Sequence, residues 1–140
     1  MKQIAIALSL ILISTSSCKN QKAEVTETPT KMEEVLAIHD EVMPKMATIA
    51  KLVEKLKSKT DSTGNNKKYK DAMTDLQEAH TSMMDWMKGF GERFDHEEVM
   101  KGKPLSEEKK VWLAEEEQKV KAMREKVLKS ISNAQQVLQN

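Results

Sequence analysis

The chain has 140 residues, with 23 Lys and Arg set against 22 Asp and Glu, 4 glycines, 3 prolines and 1 cysteine. Near charge balance with no basic patch argues against a nucleic-acid partner, and one cysteine excludes an intramolecular disulfide or a thiolate metal cluster. Few aromatics beside plentiful Lys, Glu, Met, Ala, Val and Leu give the composition of a helical protein, and the length fits one domain.

In chain order, the first element reads as a secretory signal. Lys2 carries a positive charge, Ile4 to Ile13 is apolar except for Ser9, and the small residues Ser14 to Ser17 precede Cys18. An apolar run of about ten residues is too short to span a bilayer, which takes roughly 20. The cysteine directly after the small residues points to a lipoprotein, with Cys18 accepting a lipid and becoming the new N-terminus after cleavage of 1–17. Thr15 stands where such a motif usually has an aliphatic residue, and the alternative is a plain signal peptide with an incidental cysteine. Lys19 is not an aspartate, so an inner-membrane retention signal of the enterobacterial kind is absent, and the reading places the anchor in the outer membrane. Without 1–17, Lys2 is lost and the formal net charge is zero. The stretch from Cys18 to Thr30 is polar and reads as a flexible tether.

Residues 31–140 are expected to fold as an all-α, up-down-up three-helix bundle. The first predicted helix covers about 31–59, with an apolar seam at Val35, His39, Val42, Met46, Ile49, Val53 and Leu56. Pro44 should kink it by removing the hydrogen bond to the Asp40 carbonyl. A polar link from Thr60 to Asn65 follows. The second predicted helix covers about 66–94, with a seam at Tyr69, Met73, Leu76, His80, Met83, Met87, Phe90 and Phe94. A longer link, about 95–105, holds Gly102 and Pro104. The third predicted helix covers about 106–138, with Ser106 as N-cap and a stripe at Leu113, Val120, Met123, Val127, Ile131, Ala134 and Leu138, where Glu116 is the polar exception. No segment alternates with period two, so no sheet is expected. Trp86 and Trp112 are the large side chains expected to fill wide places in the core.

Two stretches carry the only chemical signal. In His39 to Met46 and again in His80 to Met87, a histidine precedes methionines at steps of three, four and seven, which share one face of a helix. Folding the first two helices into a hairpin puts His39 near Trp86 and Met87, and His80 near Met46. The two histidines then lie about six residues apart along the axis, roughly 9 Å, so they fall into separate His–Met sets unless the Pro44 kink closes the gap. Thioether sulfur is soft and suits Cu(I), while imidazole suits several transition metals. The metal reading is therefore a copper site built from His39, Met43, Met46, His80, Met83 and Met87. Against it stands plain core packing, since methionine fills irregular cores well. Haem held by His and Met is a third reading, and covalent haem attachment is excluded because there is no C-x-x-C-H. His96, in the acidic run Asp95 to Glu98, is a solvated residue or a weak site for a divalent ion.

The two stretches HDEVMPKM (His39 to Met46) and HTSMMDWM (His80 to Met87) resemble those of small lipoproteins of the Bacteroidota, which share H-D-E-V-M-P-K-M and a later H-x-x-M-M-x-W-M. The resemblance covers the signal, the tether and the first two helices, and the third more loosely. Such sequences often bear the automatic label "viral A-type inclusion protein", which implies no mechanism, and no catalytic residue is carried over. No nucleophile elbow, P-loop, H-E-x-x-H or dinucleotide fingerprint is present. The expected function is that of a non-catalytic binding or interaction module, held to a membrane by its lipid and serving a protein partner. The alternative is a copper-binding protein.

Overall fold

The computed structural model describes residues 30–62 and 66–139. The expected signal 1–17, Cys18, the tether up to residue 29 and the tip of the first link lie outside the described residues. Within them the protein is all-α, without a strand: α1 (Lys31–Val42), α2 (Lys45–Ser62), α3 (Lys67–Arg93), α4 (His96–Met100) and α5 (Glu107–Gln139). None of these helices is long and apolar enough to cross a membrane.

Local chemistry accounts for the boundaries. Thr30 opens α1 with a capping box, its hydroxyl accepting from the Glu33 N–H while the Glu33 carboxylate accepts from the Thr30 N–H. Ser106 caps α5 by accepting from the Lys109 N–H at 3.2 Å. The single helix expected over 31–59 is two. Pro44 has no N–H to offer the Asp40 carbonyl, so the chain leaves the helix at Met43 and Pro44. It resumes after a tighter bond from the Met46 N–H to the Met43 carbonyl, 3.1 Å. α2 then runs three residues beyond the expected 59. The link expected over 95–105 contains a further short helix, α4. Asp95 builds a capping box there, accepting from the Glu97 and Glu98 N–H groups at 2.9 Å each. The chain turns out of α4 at Gly102, whose φ of 66° lies in the left-handed region.

The core is one cluster drawn from α1, α2, α3 and α5 together with Phe94. In α3 its members are Tyr69, Ala72, Leu76, Ala79, Met83, Trp86 and Phe90, alternating steps of three and four. In α5 they are Leu113, Val120, Met123, Val127 and Ala134, and the buried polar residues Glu116 and Ser130 complete the same alternation. Each is a stripe buried along the whole helix, and removal of this apolar surface from water drives the packing. The expected seam of α3 is corrected by one position at every second place. Ala72, Ala79 and Trp86 are buried, while the expected Met73 is only partly buried against the core and the expected His80 and Met87 are exposed. Both series share Tyr69, Leu76, Met83 and Phe90, so periodicity alone fits either one. Alanine lets neighbouring helices approach closely, and Trp86 offers more apolar area than Met87, whereas burying His80 would strand a polar ring.

Polar pairs outside the core follow the helices in register. Between α3 and α5 the pairs Arg93–Glu115 (2.6 Å), Glu78–Lys126 (3.1 Å) and Asp75–Asn133 (3.3 Å) run in opposite sequence order. Between α1 and α5, Lys31–Glu117 (2.5 Å) and Glu41–Arg124 (2.7 Å) run in the same order. Such exposed pairs contribute little each, so they mark register more than they stabilise it. Glu117 differs, because two ammonium groups share it. Hydrogen bonds from Lys121 and Lys31 hold its pKa at about 2, below the usual carboxylate value of 4.5. A carboxylate depressed in the folded state stabilises fully above the unfolded pKa, and that stability is lost as pH falls through the folded one. Thermal melts of wild type and Glu117→Gln between pH 5 and pH 2 should therefore converge, with the wild type losing more Tm on acidification. Parallel curves would contradict this role.

Candidate functional site

The inward turn of Trp86 organises the neighbourhood where α1, α3 and α4 meet. Trp86 and Phe90 of α3 and the Phe94 that caps it follow one another, with ring centroids 4.9 Å apart at each step. From α1 the His39 imidazole lies on Trp86 at 5.6 Å, tilted by 28°. This four-ring row forms one wall of an open groove of about 320 Å³. Leu36, Met87, Gly91, His96, Val99 and Met100 complete its lining.

α4 is fixed over the groove from behind. Glu98 is buried, its carboxylate accepting from Lys109 Nζ at 2.6 Å and from the Asp95 N–H at 2.9 Å. These bonds, from Lys109 and then the Asp95 backbone, hold its pKa below the ordinary carboxylate range. Thus the short helix is tied to the first turn of α5 while His96 and Met100, four residues apart, line the groove.

Two polar atoms in this row are unusual. Among the described residues the buried side-chain nitrogens and oxygens without a hydrogen-bond partner are His39 Nε2 and Trp86 Nε1. The other ring nitrogen of His39, Nδ1, lies 2.9 Å from the Asp40 carboxylate. An ionised carboxylate only accepts, so Nδ1 is the donor, and in the neutral ring Nε2 keeps a bare lone pair. Buried polar atoms are nearly always satisfied, so an orphaned one calls for an explanation.

The residues singled out by the sequence are divided by the fold. His39 and Met87 share the groove, as the hairpin argument expected. Met43 is exposed at the break after α1, one turn beyond His39. Met46 and Met83 are core residues. His80 is exposed on a different shallow face, lined by Ile49, Ala50 and Val53, about one turn further along α2 than the expected Met46. The groove also takes in His96 and Met100, which the sequence reading had not joined to the others. Their i,i+4 spacing repeats that of His39 and Met43, and was the available signal.

A second polar cluster lies where α3 meets α5. Glu116 is 1% exposed and pairs with Lys119 at 2.8 Å and Arg93 at 3.1 Å, while Arg93 lies 5.5 Å from the Trp112 ring. All the groups of this cluster are paired, so it reads as a structural clasp. Among the described residues no three His, Asp or Glu side chains gather as a metal cage. No protein-family model, curated protein or solved structure matches this chain.

The two neighbours Trp86 and Met87 should behave oppositely on truncation. In urea melts, Trp86→Ala is expected to cost about 3–5 kcal/mol, as for a large core aromatic. Met87→Ala should stay within about 0.5 kcal/mol of wild type, as surface changes do. Equal losses would mean that the groove wall is assigned wrongly.

Proposed function

We propose that this chain is a lipoprotein, cleaved after residue 17 and anchored through a lipid on Cys18, with the outer membrane as its site. Its tether leads to a 31–140 domain that is an up-down-up three-helix bundle, with α1 and α2 as one broken rod. The opposed and parallel pair ladders along α5 support that topology. The domain acts as a non-catalytic binding module for a protein partner, and nucleic acid is not a partner. The resemblance to small Bacteroidota lipoproteins agrees with this reading and adds no mechanism. The observation that carries it is the open groove beside the His39–Phe94 row, with Met87 and Met100 exposed on its lining. Apolar side chains on a groove are what a binding surface requires.

A second reading, copper binding, is favoured by the lone pair of His39 Nε2. Its donor set as read from sequence was His39, Met43, Met46, His80, Met83 and Met87, of which only His39 and Met87 line the groove. Haem has no comparable support.

Two measurements test the main reading. In cells fed an alkyne-bearing fatty acid, the wild-type chain should take label and fractionate with the outer membrane. Cys18→Ser should lose both label and membrane association, and an unchanged distribution would remove the anchor. A photo-reactive phenylalanine analogue at Gly91, where an added Cβ meets nothing within 4 Å, should give a discrete protein adduct. The same analogue at Glu125, exposed on α5, should not. Equal adducts at both positions would show that the groove is not the docking face.

A further inference from the structure

We propose that the groove between α1, α3 and α4 is a Cu(I) site whose donors are His39 Nε2, the His96 imidazole and the thioethers of Met87 and Met100. The proposal rests on the copper reading above and changes its ligands. The four side chains come from three helices and line one open space.

A metal-bound histidine characteristically gives its second ring N–H to a carboxylate, which fixes the tautomer and aims the free lone pair. His39 already has this arrangement, with Nδ1 on Asp40 at 2.9 Å and Nε2 buried without a partner. A buried ring nitrogen without a partner is uncommon, and at Nε2 it leaves a lone pair for a ligand.

Four large apolar side chains are exposed among the described residues, and three of them are Met43, Met87 and Met100. Met32, Met46, Met83 and Met123 fill the core as packing residues do. Met87 and Met100, 38% and 67% exposed, instead line the space that holds both imidazoles. A single exposed apolar residue needs no explanation, but two thioethers beside two imidazoles make a soft donor set. His96 and Met100 are four residues apart on α4, so they share a helix face. Methionine is unbranched, with three rotatable bonds, so both thioethers can swing into the groove around an ion.

The donor chemistry selects the ion. Thioether ligands favour Cu(I), whereas Mg²⁺, Ca²⁺ and Mn²⁺ require oxygen donors. The acidic groups nearby are committed elsewhere: Asp40 to His39, Asp95 to the start of α4, and Glu98 to Lys109. Binding involves no change of oxidation state, and Cu(I) enters as Cu(I).

The test uses the full-length protein in detergent, with Cu(I) kept reduced by ascorbate and a chromophoric Cu(I) chelator as competitor. One equivalent per chain is expected, and Cys18→Ser should bind equally. In a Trp112→Phe background, binding should quench the remaining indole, Trp86, which stacks on His39. Met100→Ala and His96→Ala should each weaken binding at least about tenfold, with the metal-free Tm unchanged because both side chains are exposed. Asp40→Asn should weaken it about 10–100-fold by loosening the His39 ring, again without moving that Tm. His80→Ala and Met43→Ala should have no effect. If no Cu(I) binds, the copper reading falls and takes this site with it. If Cu(I) binds but the loss follows His80 and Met43 rather than His96 and Met100, copper binding stands and this ligand set is overturned.

Discussion

The structure depends on which residues of α3 face inward. That helix touches both α2 and α5, so its buried stripe has to serve two partners over 27 residues. Tyr69, Leu76, Met83 and Phe90 recur every seven residues, and Ala72, Ala79 and Trp86 fall between them. Small residues at two of those places let neighbouring backbones come close, and the indole at the third reaches His39 on α1. One residue on an α-helix is about 100° of rotation. Turning Trp86 inward therefore turns Met87 outward, and seating Ala79 inward leaves His80 on the surface. A packing decision made for the core thus sets what the surface presents.

The same decision builds the groove. With Trp86 inside, its ring becomes the middle of a row that begins at His39 and continues through Phe90 to Phe94. Phe94 ends α3, and the Asp95 capping box turns the chain at once into α4. The buried Glu98–Lys109 bond then holds that short helix in place, so the groove gains its third wall from residues with no part in the main seams. The Pro44 break gives the opposite wall its freedom, because α1 packs on α5 without having to continue the line of α2. Arg93 clamps α3 to α5 through the buried Glu116, which also pairs with Lys119. Among the described residues, only the groove combines exposed methionines with a ring nitrogen that has no partner.

Much of this was legible in the sequence. The all-α class, the Pro44 interruption, the Ser106 cap and the buried Glu116 all follow from patterns of single residue types. The pairing of His39 with Trp86 and Met87 followed from hairpin arithmetic. What failed did so for a definite reason. Methionine and alanine both count as apolar, so the stripes through Met73, His80 and Met87 and through Ala72, Ala79 and Trp86 are equally periodic. Only the fit of α3 against α2 and α5 separates them. α4 escaped notice because five residues are too few to show a period, and its existence rests on a cap and one buried ion pair. His96 and Met100 fall in the link that the sequence predicts, apart from the His39 and Met87 they join in space.

The central claim is that α3 buries Trp86 and presents Met87 to an open groove. Methyl-labelled methionine NMR tests it directly, with a soluble paramagnet added to broaden signals exposed to solvent. Met43, Met87 and Met100 should broaden strongly while Met46 and Met83 persist. A protected Met87 methyl, with the Trp86 indole broadened in its place, would mean that the helix is turned the other way and that the groove described here does not exist.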